Sequence, residues 1–494
     1  MTDPIVTLAS GRIRGSSRDG VSRFLGIPYA APPFGLLRFA PPERPRPWDG
    51  VRDATVPGPN LPQRHRPFPK LDVTPLVGTG WRQGEDCLTL NVWTPDPSAR
   101  GLPVMVFIHG GAFVLGEKDA SVHDGSAFAR SGIVCVAINY RLGIEGFLPI
   151  PGAATNLALR DQIAALAWVR DNITAFGGDP ANVTACGESA GAFSLANLMT
   201  APPAQGLFRR AIIQSGHGSL VRSIEVAGRV VKTLARLLKT SPDVEGFRRK
   251  SMDECLTAVV KIQSPWRRVD LREADGRDPA YDMVRFLPVY GDDVLPRHPL
   301  TALASGMASG IELLIGATRE EMNLFQVPAG VRQKIGPWMA TWALRRPEPN
   351  AKAILRAYGL KQPGRKAGEA FGDALTDLFF RMPARRFAAA HRGRAHVYEF
   401  AWRSPACDGQ LGACHALELP FVFNTLATCT GPRGLAGSSP PQELADRIHG
   451  IWAGFVRSGE LPWPAHSSVT RPVYELASGT IEPGGELPAE RYVP

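Results

Sequence analysis

A serine lies between two glycines in the stretch Gly187-Glu188-Ser189-Ala190-Gly191, where an apolar run ends and a helical pattern begins. A strand that turns directly into a helix leaves little space for side chains beside the turn, which favours glycine on both sides of the serine. Ser189 would then stand at the end of the strand, near unpaired backbone N–H groups and the positive end of the helix dipole. The bare pentapeptide also arises by chance in long chains, but with its flanking elements it predicts a nucleophile.

A serine hydroxyl needs a base to remove its proton and a carboxylate to orient that base. Serine turns of this kind are followed along the chain by an acid and then by a histidine. Glu320 and Glu321 lie in the first candidate loop, directly after an apolar run. Among the five later histidines, only His415 lies in a loop that follows a predicted strand; the others are His391, His396, His449 and His466. His415 is therefore predicted as the base, with a buried histidine satisfied by neighbouring backbone as the structural alternative.

Hydrogen-bond donors are also needed for the oxyanion of a tetrahedral intermediate. The stretch His109-Gly110-Gly111-Ala112-Phe113 follows a buried apolar run and can supply backbone N–H groups. Ala190, directly after the serine, can supply a further N–H group. Alone, the two glycines would indicate an ordinary turn, but together with the serine turn they indicate an oxyanion hole.

Apolar runs typical of buried strands alternate with helical patterns along the chain. Predicted strands cover residues 5–14, 88–93, 104–108, 133–139, 183–187, 211–214, 312–316 and 396–402, and predicted helices cover residues 157–170 and 442–457. This alternation implies right-handed crossovers and a mostly parallel sheet covered on both faces. The alternation of strands and helices is lost at about residues 221–310 and 328–394, which are predicted to be helical insertions over the carboxyl ends of the strands. We therefore expect a single α/β domain over residues 1–494.

The composition is that of a globular protein, because hydrophobic residues make up 44% and charged residues 21% of the 494 residues. The formal net charge is +10, but the basic residues are dispersed and form no nucleic-acid-binding motif, so no nucleic-acid partner is expected. A cytoplasmic protein without a membrane span is expected, because the sequence has neither a signal-peptide pattern nor a sufficiently long apolar run. Neither a metal site nor a cofactor is expected, because His, Cys, Asp and Glu are not clustered.

Several stretches together resemble the type-B carboxylesterase/lipase family, the cholinesterase-like branch of the α/β-hydrolase fold, over nearly the whole chain. They cover residues 24–30, 85–92, 109–113, 176–191 and 214–216. The resemblance implies a mostly parallel central sheet flanked by helices, with helical insertions covering the active site. It also implies individual roles: nucleophile for Ser189, triad acid for Glu321, base for His415, and oxyanion donors for Gly111, Ala112 and Ala190.

The assignment of the acid depends on the loop that contains Phe325, because in the family the acid lies four residues before an aromatic residue. Counting back from Phe325 gives Glu321. Many relatives have glycine after the acid, whereas this chain has Met322, so a shifted loop would present Glu320 instead. The glutamate that does not reach the imidazole is expected to face water or to pair with Arg319.

The cysteines depart from the family pattern. Many relatives join the cysteine of a Glu-Asp-Cys-Leu stretch, here Cys87, to an upstream cysteine, but Leu61 occupies that upstream position. The disulfide cannot form, so Cys87 is expected to be a packed thiol. This expectation agrees with a reducing compartment.

Taken together, these features predict a cofactor-free serine carboxylesterase that hydrolyses small-molecule esters through an acyl-enzyme, with a Ser-His-Glu triad and a backbone oxyanion hole. Adhesion proteins of the same family that have lost catalysis are an alternative from another functional class. Such proteins usually lack a triad member, whereas all the required residue types are present here. Peptidase and lactonase activities are weaker alternatives, because the serine turn fixes the chemistry and not the leaving group.

Overall fold

An eleven-stranded sheet forms the centre of the protein. The computed structural model describes residues 3–65, 68–264, 267–467 and 469–493. The strands found in these residues are β1 (Ile5–Leu8), β2 (Gly11–Arg14), β3 (Ser16–Arg18), β4 (Val21–Pro28), β5 (Val51–Asp53), β6 (Thr89–Thr94), β7 (Leu102–Ile108), β8 (Val134–Ile138), β9 (Gly178–Glu188), β10 (Arg210–Gln214), β11 (Arg222–Ser223), β12 (Val289–Tyr290), β13 (Glu312–Thr318), β14 (Ala395–Phe400), β15 (Pro472–Glu475) and β16 (Thr480–Pro483).

Helices pack on both faces of this sheet. The α-helices are α1 (Thr74–Val77), α2 (Ser126–Arg130), α3 (Gly143–Phe147), α4 (Leu157–Asn172), α5 (Ala190–Leu198), α6 (Ile224–Leu238), α7 (Val244–Arg248), α8 (Met252–Ile262), α9 (Pro299–Ala304), α10 (Asn323–Gln326), α11 (Val331–Lys334), α12 (Pro337–Arg345), α13 (Ala351–Ala357), α14 (Ala367–Thr376), α15 (Met382–Ala390), α16 (Leu419–Val422) and α17 (Gln442–Ser458). A π-helical turn, Asp377–Arg381, joins α14 to α15. In the described part of the chain, no helix combines the length and the apolar content needed to cross a membrane.

The order of strands in the central sheet is β16-β15-β14-β13-β10-β9-β7-β8-β6-β4-β3. The pairs from β8 to β15 are parallel, and the strands at both edges are antiparallel. A separate small sheet joins β1, β2 and β5, and β11 pairs with β12. The sheet is therefore parallel at its centre, as the alternation of strands and helices predicts.

The central strands are buried on both faces, which explains why they read as continuous apolar runs. In β7, the side chains of Val104, Val106 and Ile108 pack into one hydrophobic cluster. Met105 and Phe107, which alternate with them, pack into a second cluster. Each face of the sheet thus has its own core beneath its own helices.

Four neighbouring strands end at the same level, which determines where the site forms. Gly187 of β9 pairs with Ile108 at the end of β7, and Gln214 of β10 pairs with both Glu188 of β9 and Gly316 of β13. The loops that follow these strands therefore meet at one edge of the sheet, which is the common location of ligand sites in parallel sheets.

The start of strand β9 and two strands at one edge of the central sheet differ from the sequence-based prediction. Strand β9 begins at Gly178, earlier than the predicted start at residue 183, because Gly178 pairs with Leu102 before the register shifts and Val183 pairs with Val104. Strands β15 and β16 were not predicted. They are four residues long and contain proline at an end, so they carry little periodic signal.

The two irregular segments contain mostly helices. Helices α6–α9 and the short β11–β12 pair lie between β10 and β13, and helices α10–α15 lie between β13 and β14. Residues 265 and 266 of the first predicted insertion lie outside the described residues.

Candidate active site

Ser189 occupies a sharp turn between β9 and α5. Its φ of 52° and ψ of −120° are unusual for a residue with a side chain, and such a conformation costs about 1–3 kcal/mol and persists only where its surroundings enforce it. One constraint is the hydrogen bond of 2.9 Å from the Ser189 N–H to the carbonyl oxygen of Gln214. Another is the close approach of Gly191 to β7, where a Cβ would overlap the Ile108 carbonyl oxygen. The turn therefore requires glycine at position 191 and presents the serine at the strand end.

The structure brings together the three residues predicted as a triad. The Oγ atom of Ser189 lies 2.8 Å from Nε2 of His415. The Nδ1 atom of the same imidazole lies 2.5 Å from Oε2 of Glu321. Both imidazole nitrogens are therefore used, one toward the hydroxyl and one toward the carboxylate.

Backbone and side-chain donors hold the carboxylate of Glu321, which is fully buried. Its Oε1 atom accepts hydrogen bonds from the Ser215 hydroxyl at 2.6 Å and from the Thr318 N–H at 2.8 Å. Sequence reasoning did not assign a role to Ser215, although it follows β10 directly, as Ser189 follows β9. The arrangement leaves Oε2 of Glu321 free to face the imidazole.

The second candidate carboxylate, Glu320, points away from the imidazole. Its Oε2 atom accepts a hydrogen bond of 2.9 Å from the Ala413 N–H and forms an ion pair with Arg403. The Glu320 N–H in turn donates to the Ala413 carbonyl oxygen at 2.9 Å. The expectation that this glutamate faces water or pairs with Arg319 was wrong, since Arg319 pairs instead with Glu399 and Glu482. Glu320 joins its own loop to the loop that carries the histidine.

The glycine-rich segment after β7, residues 109–116, is called the oxyanion loop below. Three successive residues have positive φ: 118° for Gly111, 52° for Ala112 and 64° for Phe113. In the described residues, the N–H groups of Gly111 and Ala112 have no hydrogen-bond partner. A Cβ on Gly110 would lie 3.0 Å from the Ser189 Cβ, so the loop packs directly on the serine turn. Ala190 begins α5, and the first N–H groups of a helix lack an intrahelical acceptor.

Two further buried carboxyl groups lie beside the triad. Oε1 of Glu188 is 3.1 Å from Nε2 of His415, but it has no hydrogen bond within the described residues. Burial raises the pKa of Glu188 to about 8, despite the opposing effect of the imidazole. Burial and the neighbouring Glu321 raise the pKa of Glu418 to about 7. Glu188 directly precedes Ser189 and Glu418 lies a few residues after His415, but no spacing rule in the sequence indicates their burial.

These carboxylates change the acid–base behaviour of His415. Burial alone would lower its pKa, but the facing carboxylates of Glu188 and Glu321 outweigh burial and raise the pKa to about 9. Since the shift originates from charges on both sides of the ring, the imidazolium is strongly stabilised here. This is the form that a general base reaches after it has taken a proton.

Comparison with known proteins gives a consistent result. The model of the Carboxylesterase family matches residues 2–477. The chain is 37% identical over 495 residues to a para-nitrobenzyl esterase from Bacillus subtilis (strain 168), covering 98% of this chain and 96% of that protein. It is 34% identical over 478 residues to a phenmedipham hydrolase from Pseudarthrobacter oxydans, covering 95% of this chain and 92% of that protein. The solved structure of a carboxylesterase from Geobacillus stearothermophilus matches with a TM-score of 0.82 and 35% identity, and the match covers 99% of this chain and 98% of that one.

The chain belongs to the carboxylesterase family. It is a carboxylic ester hydrolase, and its likeness to the solved carboxylesterase confirms the α/β-hydrolase fold that the sequence predicted. The family resemblance drawn from the five sequence stretches is likewise confirmed.

In this carboxylesterase, aromatic side chains surround the reactive groups. The ring centroids of Phe325 and Phe380 lie 5.4 Å and 5.0 Å from that of His415. Phe193 lies on the helix that follows the serine. Its ring centroid is 6.2 Å from that of Phe380 and 6.4 Å from that of Phe113, which belongs to the oxyanion loop. Aromatic rings therefore pack around the imidazole, on the same side of the sheet edge as the serine. In the described part of the carboxylesterase, no group of three or more His, Cys, Asp or Glu residues could hold a metal ion.

Proposed function

We propose that this carboxylesterase hydrolyses its substrates through an acyl-enzyme, with Ser189 as nucleophile, His415 as general base and Glu321 as the acid of the triad. The observation that carries the proposal is the continuous line of contacts from the Ser189 hydroxyl through both imidazole nitrogens to a buried carboxylate. A nucleophile, its base and the group that orients the base are thereby placed in the order that the chemistry requires.

In the acylation step, Nε2 of His415 takes the hydroxyl proton while Oγ of Ser189 attacks the ester carbonyl carbon. The negative charge that develops on the carbonyl oxygen is stabilised by the N–H groups of Gly111, Ala112 and Ala190. The imidazolium then gives its proton to the leaving alcohol, and the acyl group stays on Ser189. Glu321 keeps Nδ1 protonated and stabilises the imidazolium.

Deacylation follows the same order of steps, with water in place of the serine hydroxyl as the nucleophile. A water molecule gives a proton to Nε2 of His415 and attacks the acyl carbonyl, and the same backbone N–H groups stabilise the second oxyanion. The imidazolium returns its proton to Oγ of Ser189, which releases the carboxylic acid. No cofactor or metal takes part in the proposed reaction.

The proposed substrates are small-molecule carboxylic esters with an apolar acyl or alcohol group. The support for this class is the aromatic lining around the triad, formed by Phe113, Phe193, Phe325 and Phe380. Rings of this kind favour apolar ligands and offer few groups for a charged one.

Covalent labelling tests the proposed nucleophile. An organophosphate should form one adduct, located at Ser189 by mass spectrometry of peptides, and an activated aryl ester should give a burst of alcohol of one equivalent per enzyme. Ser189→Ala should abolish both signals. An adduct on another residue, or an undiminished burst from this variant, would overturn the assignment.

We also propose a cytoplasmic location. It is supported by the seven cysteines, all of which are free, including the buried Cys87 that faces no cysteine partner. Recovery of the native protein from the medium or the periplasm, with disulfides formed, would contradict this location.

A further inference from the structure

The oxyanion loop contains local strain that needs an external support. Ala112 and Phe113 have φ values of 52° and 64°, and left-handed conformations of this kind cost about 1–2 kcal/mol for each residue with a side chain. Within the loop, the N–H groups of Val114 and Leu115 donate to the carbonyl oxygen of Gly111, at 3.1 Å each. These bonds close the turn upon itself. The Gly143 N–H attaches the middle of the loop by donating to the Phe113 carbonyl oxygen at 2.7 Å, but none of these bonds holds the end of the loop.

The attachment at the end of the loop is a buried amide, Gln63, whose exposed fraction is 4%. Its Oε1 atom accepts a hydrogen bond of 2.8 Å from the Gly116 N–H, and its Nε2 atom donates to the Gly116 carbonyl oxygen at 3.0 Å. The same Nε2 atom also lies 3.3 Å from the Leu61 carbonyl oxygen. One side chain thus holds both backbone polar groups of one loop residue.

Gly116 packs against the first residues of the loop, so the hydrogen bonds from Gln63 also restrain the beginning of the loop. Gly116 has a φ of 110°, and a Cβ there would overlap the Gly110 carbonyl oxygen and lie 2.5 Å from Nδ1 of His109. The loop therefore returns upon itself, so that its last residue packs against its first two. Gly110 in turn packs on the serine turn, as described above.

We propose that Gln63 is a positioning residue of the oxyanion hole. By fixing Gly116, it sets where the N–H groups of Gly111 and Ala112 point relative to Oγ of Ser189. This inference rests on the proposed oxyanion function of that loop. It adds a residue that lies 126 positions before the nucleophile and that contacts no reacting atom.

The amide is suited to this task because it donates and accepts at the same time. A glutamate at position 63 would keep the acceptor for the Gly116 N–H but would place a carboxylate oxygen against the Gly116 carbonyl oxygen. An alanine would leave both backbone groups of Gly116 buried without a partner, which is unfavourable. Either change should let the loop shift relative to the serine.

Asn156 provides a matched control, because it holds Val289 in the same way. Its Nδ2 atom donates to the Val289 carbonyl oxygen at 2.7 Å, and its Oδ1 atom accepts from the Val289 N–H at 2.9 Å. It is also buried, with an exposed fraction of 2%. In the described residues, neither member of this pair has a hydrogen bond to the oxyanion loop or to the triad. Asn156→Asp therefore places a carboxylate oxygen against a backbone carbonyl oxygen, as Gln63→Glu does, at a distance from the reaction. It is the harsher change, because Nδ2 of Asn156 also donates to Oδ2 of Asp292 at 2.8 Å.

The experiment compares Gln63→Glu, Gln63→Ala and Asn156→Asp by active-site titration, steady-state kinetics with a soluble aryl ester, and affinity for a trifluoromethyl ketone that forms a tetrahedral adduct with Ser189. For both Gln63 variants, we expect kcat per titrated site to fall about 30- to 100-fold with little change in KM, since small displacements and lost oxyanion donors act on the transition state. The affinity for the ketone should fall by a similar factor, because the adduct carries the oxyanion. Asn156→Asp should lower Tm but leave kcat and the ketone affinity within about twofold.

The inference is overturned if the folded Gln63 variants keep kcat and ketone affinity within about twofold and lose only thermal stability. It is also overturned if Asn156→Asp lowers kcat as much as Gln63→Glu does, because a general loss of rigidity would then explain both. Should Gln63→Glu fail to fold, Gln63→Ala decides, measured at low temperature. The proposed triad fails separately, namely if Ser189→Ala retains turnover.

Discussion

The two halves of the active site are held in place by different means. Ser189 and the oxyanion loop take their positions mainly from the backbone, through positive φ values and close approaches between short segments, while the Gln63 amide holds the end of the loop. Glu321 and His415 take theirs from side-chain contacts between segments that lie 94 positions apart. Ser215, Glu320 and Arg403 take part in those contacts.

The difference explains which changes each half can tolerate. A backbone-defined segment depends on small residues at fixed positions, so most substitutions there act through steric overlap. A contact-defined segment depends on donors and acceptors, so a substitution that preserves the hydrogen bond should preserve the geometry. The following predictions begin with the largest expected effect.

The two halves should act as one catalytic unit. Ser189→Ala removes the nucleophile from the first half, and His415→Ala removes the base from the second, so each should lower kcat by roughly a million-fold. The double variant should be hardly worse than either single variant, because neither residue works without the other. Steady-state kinetics of the three variants would show this. If the logarithms of the two single losses summed to that of the double variant, the two halves would act independently and the prediction would be wrong.

Within the second half, the acid should matter next. Glu321→Gln keeps the size of the side chain but removes the charge that stabilises the imidazolium, so kcat should fall by about 10⁴-fold. Circular dichroism should show an intact fold, since the amide can still accept from Ser215 and Thr318. A larger loss for the equivalent change at Glu320 would show that the acid had been assigned to the wrong residue.

Glu320 tests whether contacts define the second half. Glu320→Ala removes the acceptor for the Ala413 N–H and should lower kcat about tenfold by displacing the loop of His415. Glu320→Gln retains an amide oxygen at that position and should keep most of the activity. If both variants were equally impaired, the ion pair with Arg403 would be the important contact and not the hydrogen bond to the loop.

The smallest expected effect concerns the pH dependence of kcat/KM. The base must be neutral, and the facing carboxylates of Glu188 and Glu321 raise the pKa of His415. As the pH falls, kcat/KM should therefore decline at a higher pH than the value near 6.5 of an unperturbed histidine. Glu188→Gln removes one of the facing charges and should move this decline to lower pH. A profile with a midpoint at or below about 6.5 that Glu188→Gln leaves in place would contradict this account.

Much of the first half could be predicted from the sequence, because its geometry is local. A turn that has no space for a Cβ atom requires glycine, and a strand that is buried on both faces requires a run of apolar residues. Seven of the central strands were identified in this way, and Ser189 and the oxyanion loop were predicted as site candidates in the same way. The start of β9 was misjudged, because a bulge can continue the strand through a stretch that contains glycine and proline.

The second half could be predicted only in part, because contacts between distant segments leave no spacing in the sequence. The family pattern pointed to Glu321, but it did not show that Glu320 binds Arg403 and Ala413. The burial of Glu188 and Glu418 beside His415 depends on which loops meet at the sheet edge. Strands β15 and β16 are too short to show a period of their own.

The strand order also determines when catalytic competence arises during synthesis. The strands β10, β13, β14 and β15 join the sheet outward from β9 in the order in which they leave the ribosome. A nascent chain folded as far as the loop after β13 would hold the proposed nucleophile and acid, whereas the proposed base follows Ser189 by 226 residues. Ribosome-bound chains that end before His415 should therefore be inert toward cellular esters. If His415 is the base, as proposed, hydrolysis begins only when more than four-fifths of the polypeptide has emerged.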